Sequence, residues 1–165
     1  MNINEKFTKK RKKKWLVVLL VLLAIAGGVC WFLIHQLSPF DNNAHDYADP
    51  VRKGKKWTTE QLVFPGFGEV PVKQGDKNIK IILGNSKVNK AYFKYKVTVK
   101  QGKKNITVLD TKLIKPGNAI TRISTKKLQM KKGKYPMRIK VCAFSLKNRN
   151  APLNGSMVDA TLVVN

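Results

Sequence analysis

The sequence predicts an all-β body of seven short antiparallel strands arranged as a sandwich, preceded by one N-terminal transmembrane helix. Three features predict it. A basic run passes directly into twenty almost wholly apolar residues, Trp15 to Ile34. Period-two alternation recurs from about residue 60 onward, and turn residues rather than helix-length connections separate the alternating segments.

The helix is the first element. Seven Lys or Arg residues fall in the first fourteen positions, six of them in Lys9-Lys10-Arg11-Lys12-Lys13-Lys14. At about 1.5 Å per residue the twenty residues that follow reach roughly 30 Å, the thickness of a hydrocarbon core. No Lys or Arg appears between Ile34 and Arg52, whereas Asp41, Asp46 and Asp49 do. The positive-inside rule then keeps residues 1–14 in the cytoplasm and predicts a single-pass protein of the cell membrane with an extracytoplasmic C-terminal domain. Trp15 and Trp31 are the expected interfacial anchors at the two ends of the span 15–34. A cleavable signal would have a shorter apolar region of about 7 to 15 residues and a small-residue cleavage site. Lipidation at Cys30 would need other neighbours than Val29 and Gly27. Gly27-Gly28 offers a close-packing surface for dimerisation through the span, which leaves homo-oligomerisation open.

Residues 35–58 are expected to be a spacer: Ser38-Pro39-Phe40-Asp41-Asn42-Asn43 and Ala48-Asp49-Pro50 are turn-forming, and Arg52 to Lys56 is charged. The domain is expected at 59–165. Its strands, in order, are a broken one around Leu62 to Val72, then Asn78 to Leu83, Ala91 to Lys100, Ile106 to Thr111, Ala119 to Ser124, Tyr135 to Leu146 and Met157 to Val164. In the third, Ala91, Phe93, Tyr95, Val97 and Val99 alternate with polar or half-polar residues, so one face is buried. Tyr135, Met137, Ile139, Val141 and Ala143 repeat that pattern, as do Val158, Ala160, Leu162 and Val164. Val63-Phe64-Pro65-Gly66-Phe67-Gly68 reads as core contact plus a strand break, with an exposed docking loop as the alternative.

The segment Leu128, Gly133-Lys134-Tyr135 and the alternating strand to Ala143 resembles the turn and tyrosine that open strand F of immunoglobulin-like and fibronectin-type domains, where the Tyr hydroxyl bonds back to the corner. The resemblance covers about residues 60 to 165. It implies a seven-stranded immunoglobulin-like sandwich without the Cys pair or the strand-C Trp of antibody domains, Phe93 or Tyr95 standing where that Trp would be. Phe93-Lys94-Tyr95 and Pro152-Leu153-Asn154-Gly155 are similar to segments of small anchored envelope proteins of Gram-positive bacteria, a group that implies no activity.

The net charge is +24, and positions 50 to 165 carry 26 basic residues against Glu60, Glu69, Asp76, Asp110 and Asp159. Such an excess recruits polyanions. In the order the resemblance implies, Ala91 to Lys100 and Tyr135 to Leu146 are neighbouring strands. Lys94, Lys96 and Lys100 then share an outer face with Arg138 and Lys140. Lys126, Lys127, Lys131, Lys132 and Lys134 form a second cluster before strand F.

Chemistry is sparsely encoded. His35 and His45 both precede the domain, its acids are scattered singly, and no metal-ligand spacing or phosphate loop occurs. No enzyme, metal or cofactor is therefore expected. Cys30 lies in the span and Cys142 within an apolar run, so no intrachain disulfide is expected, and Cys142 reads as a structural thiol. The expected partners are membrane lipid through 15–34 and a protein of an envelope complex serving secretion or DNA transfer. The alternative is an anionic wall polymer or nucleic acid held at the basic surface.

Overall fold

A computed structural model describes residues 3–49 and 61–165. The chain divides into two units, the first ending at Ser38 and the second running Pro39–Asn165. The first is one helix, α1 (Ile3–Leu37), which takes in the basic foot as well as the apolar stretch. Lys14–Ile34 is long and apolar enough to cross a membrane, and its place near the N-terminus also suits a signal sequence. Trp15 and Trp31 are both exposed on it. Sixteen residues of helix separate them by about 24 Å, within the span of a hydrocarbon core.

The second unit is mostly β. Its described strands are β1 (His45–Asp46), β2 (Glu69–Val72), β3 (Asn78–Gly84), β4 (Ala91–Gln101), β5 (Lys104–Asp110), β6 (Asn118–Ser124), β7 (Gly133–Ser145) and β8 (Pro152–Val164). They form a three-stranded sheet in the order β1-β6-β3 and a five-stranded sheet in the order β2-β8-β7-β4-β5. One core lies between them. Phe93, Tyr95, Val97 and Val99 of β4 and Ile139 and Val141 of β7 are fully buried, as are Ile79 and Leu83 of β3 across the core. The alternation read from the sequence is thus the alternation of burial, as period-two strands with one covered face require.

Three differences from expectation have physical causes. The five-stranded sheet is not wholly antiparallel: β2 runs parallel to β8, with Val70 opposite Leu162 and Val72 opposite Val164. A parallel pair needs a long crossover, and here the rest of the domain, from β3 to β7, provides it. Strand alternation is the same in either direction, so the sequence is silent on this point.

The second difference lies at 39–49, inside the stretch expected to be spacer. Phe40 bridges Leu113, and Leu113 N–H donates to the Pro39 carbonyl at 3.1 Å. His45 and Asp46 pair with Ala119 and Asn118. Farther on, one carboxylate oxygen of Asp49 accepts from the Ser86 hydroxyl at 2.6 Å and from the Lys87 N–H at 2.7 Å. This segment is held by side-chain caps and isolated bridges, which have no period to detect. At the start of the expected spacer, residues 35–37 continue α1; its residues 50–58, and the boundary at 59, lie outside the described residues.

The third is the length of β8. It begins at Pro152, five residues before the expected start at Met157, because Gly155 allows close approach to β7. A Cβ at position 155 would stand 2.5 Å from the Val141 carbonyl oxygen. Upstream of β2, Leu62, Phe64 and Phe67 pack against the core, and Phe64 stacks on Phe93 at 5.1 Å between ring centroids. The apolar segment 63–68 therefore serves the core, and strand structure starts only at Glu69.

Candidate functional site

The outer face of the five-stranded sheet brings together the residues singled out on two separate strands. β4 and β7 are antiparallel neighbours, with Lys96 directly opposite Lys140 and Thr98 opposite Arg138. Lys94 lies across from Cys142. Like charges opposite one another on a sheet repel.

Carboxylates temper that repulsion. Lys94 pairs with Asp110 of β5 at 3.1 Å, Arg138 with Asp159 of β8 at 2.8 Å, and Lys134 with Glu69 of β2 at 2.7 Å. These three are all the acids that the five strands contain. Asp110 is the register partner of Lys96 yet closes on Lys94 instead. Lys96, Lys100 and Lys140 are left without an ion pair among the described residues. The Arg138 hydrogen bond is the main reason that the Asp159 carboxyl is held below its ordinary value, and the same bond raises Arg138.

All three pairs are exposed, so they order the face more than they stabilise the fold. Asp110→Asn is expected to change unfolding stability by less than about 1 kcal/mol in urea denaturation.

An open depression of about 680 Å³ lies on this face, lined by Thr98, Lys100, Asn105, Pro136, Arg138, Asp159 and Thr161 among others. Met157, opposite Lys140 on β8, is 57% exposed beside the charged rows. At the other end of the face, Tyr92 meets the Phe40 ring edge-on at 5.2 Å. Lys115 Nζ stands 4.4 Å from the Phe40 ring centroid and the Arg149 guanidinium 5.3 Å from it. These rings are engaged within the protein rather than offered as a stacking platform.

Lys126, Lys127, Lys131 and Lys132 sit apart from the rows of Lys94 and Lys96, in the loop between β6 and β7 at one end of the domain. The loop is tied to the end of β4: Gln101 Nε2 donates to the Gln129 carbonyl at 2.7 Å, and Gln129 N–H donates to Gln101 Oε1 at 3.0 Å. Lys127 Nζ donates to the Thr107 carbonyl at 3.3 Å. Behind the loop, Tyr135 packs against the core and its hydroxyl donates to the Lys131 carbonyl at 2.9 Å.

One cationic group was not legible as a unit. Lys73, Lys77, Lys80 and Arg122 line a second depression of about 420 Å³, together with Asp76 and Asn78. Lys80 and Arg122 are register partners on β3 and β6. Their convergence depends on the pairing of strands about forty residues apart, which composition does not reveal.

Buried polar groups elsewhere serve the fold. Tyr95 donates its hydroxyl to the Gly84 carbonyl at 2.6 Å, and burial pushes its pKa far up. Cys142 is half-buried and unpaired. Among the described residues no group of three or more His, Cys, Asp or Glu side chains could hold a metal ion. No protein-family model and no curated protein sequence matches the chain.

Proposed function

We propose that this chain is a membrane-anchored binding or assembly module, an accessory subunit of an envelope complex such as secretion or DNA-transfer machinery. In this reading α1 stays in the cell membrane with its basic foot in the cytoplasm. The β-rich body is an immunoglobulin-like sandwich on the other side. The run of cations at 6–14 and its absence between 35 and 51 support the orientation. The order β8-β7-β4-β5 beside β6-β3 and the Tyr135 hydroxyl bonded four residues upstream support the fold, since both are features of such sandwiches.

The observation that carries the docking reading is the outer face of the five-stranded sheet. Its cations and carboxylates alternate in cross-strand pairs around an open depression with an exposed Met157 beside it. A mixed pattern of this kind discriminates between protein surfaces by charge complementarity, and a methionine adapts its shape to an apolar partner group. A second reading rests on Lys96 facing Lys140: an anionic polymer laid across the two rows would relieve their repulsion.

Photo-crosslinking residues at positions 96 and 157 of the full chain, in intact membranes, test the first reading. The same single protein partner is expected from both positions and not from position 80 on the other sheet. Lys96→Glu with Lys140→Glu should abolish it. Partner capture should fall less steeply with salt than polymer binding, which falls through counterion release. No partner from either face position, or the same products from position 80, would refute docking here. Labelling of a cysteine introduced at Asn42 by an impermeant reagent on intact cells checks the topology.

A further inference from the structure

We propose that the depression lined by Lys73, Lys77, Lys80 and Arg122 is a phosphate-binding site for a linear polyol-phosphate chain, whose neighbouring phosphates are held by the lysines of the 125–132 loop. This site lies on a different sheet from the docking face and does not depend on it.

The charge balance distinguishes it. On the five-stranded sheet every acid is closed on a cation. Around this depression four cations meet one carboxylate, Asp76, and one oxygen of that carboxylate accepts the Lys73 backbone N–H at 3.1 Å. None of the four cations has an ion pair among the described residues. Lys80 stands directly opposite Arg122, an arrangement that costs stability on an exposed sheet face. A phosphate between them converts that repulsion into two charge-assisted contacts.

The surroundings extend the field in one direction. The 73–77 turn is fastened to the start of the 125–132 loop, where Thr125 N–H donates to the Lys77 carbonyl at 3.0 Å and the Thr125 hydroxyl to the Asp76 carbonyl at 2.7 Å. That loop carries Lys126, Lys127, Lys131 and Lys132 and no acid. Gln101 joins it in turn to the β4–β5 turn with Lys103 and Lys104. Cations thus run from the concave site around the end of the domain, the shape of a track for a flexible polyanion.

The side chains also select the type of polyanion. No aromatic residue lines the depression, so bases would find no ring to stack on. Apart from Arg122 the track is lysine, and lysines act as mobile point charges rather than as planar forks suited to base edges. Repeating phosphate on a base-free backbone fits best.

The test uses the full chain in uncharged detergent micelles and a fluorescent glycerol-phosphate oligomer, titrated across a range of salt. Affinity should fall with rising salt. Lys80→Gln with Arg122→Gln should weaken binding about tenfold and lower the log–log salt slope by about 0.7, for the one phosphate no longer neutralised. Lys96→Gln with Lys140→Gln should leave both unchanged. The charge-retaining exchange Lys80→Arg with Arg122→Lys should keep the affinity, and the melting temperature of the Gln variant should not fall, since a repulsive pair is removed. Equal weakening by the two Gln pairs, binding insensitive to salt, no binding, or tighter binding of mixed-sequence single-stranded DNA of the same charge would each overturn the proposal.

Discussion

Asn85→Ala should destabilise the body by about 3–5 kcal/mol, because one buried side chain satisfies three partners that have no water to turn to. Asn85 is fully buried. Its Nδ2 donates to the Ala91 carbonyl at 2.8 Å and to the Ile114 carbonyl at 3.0 Å. Its Oδ1 accepts from Asn89 Nδ2 at 2.9 Å. Asn89, also buried, clasps Val63 by its N–H at 2.7 Å and its carbonyl at 3.0 Å. The two amides therefore connect the turn before β4, the segment after β5 and the chain leading to β2. Each partner left unsatisfied in the interior costs about 1–3 kcal/mol, and the three share one cavity, so their costs do not simply add. The measurement is the urea midpoint followed by far-ultraviolet circular dichroism. It should drop with the slope unchanged. Asn85→Asp keeps the shape but replaces the donor with an acceptor and a charge, and should be at least as costly. A midpoint that stays in place for both variants would show that the amides are not the clasp described.

Much of this molecule is legible in its sequence where a regular period exists. Ala91 to Val99 announces which five side chains enter the core, and the glycine-lysine-tyrosine at 133–135 announces the corner that Tyr135 makes with Lys131. Features that depend on distant partners are not legible. Lys94 and Asp110 are sixteen residues apart and Lys134 and Glu69 sixty-five, so acids that look scattered along the chain stand beside cations across strands. The strapping of 39–49 is hidden for a different reason: Asp41 and Asp49 act through single carboxylates on remote backbone N–H groups, and such caps leave the composition of a linker. The direction of β2 and the gathering of Lys73, Lys77, Lys80 and Arg122 belong to topology alone. Register, not composition, decides which lysines of a very basic chain face one another, and hence where an anion is attracted most strongly.

Stability should fall steeply once the pH passes 10, and Tyr95→Phe should remove a large part of that fall. Tyr95 is fully buried and donates its hydroxyl to Gly84. The Tyr47 ring lies against the same glycine, so closely that a Cβ at 84 would come within 2.6 Å of it. Burial first, and the charge of Asp49 second, push Tyr47 from 10.0 to about 12. Burial, with a smaller contribution from Tyr47, pushes Tyr95 higher still. In both the folded value lies above the unfolded one, so the fold favours the neutral hydroxyl. Their contribution is complete below the unfolded value near 10. It shrinks as the pH rises, because the unfolded chain releases protons that the folded one retains. Tyr47 stops contributing to the slope once the pH reaches its folded value of about 12, and Tyr95 continues beyond it. For Tyr95 the limiting slope is about 1.4 kcal/mol per pH unit. Tyr95→Phe should be less stable by about 1 kcal/mol at neutral pH, where the hydrogen bond to Gly84 is gone, yet its stability should decline more slowly above pH 10. The chain's net charge of +24 also changes over this range, but it does so equally in both proteins. The difference between their urea midpoints, followed from about pH 8 to about pH 11, therefore isolates the tyrosine. Parallel curves would mean that the Tyr95 hydroxyl is not held neutral by its burial, while curves that converge as the pH rises would identify it as the group that limits the domain under alkaline conditions.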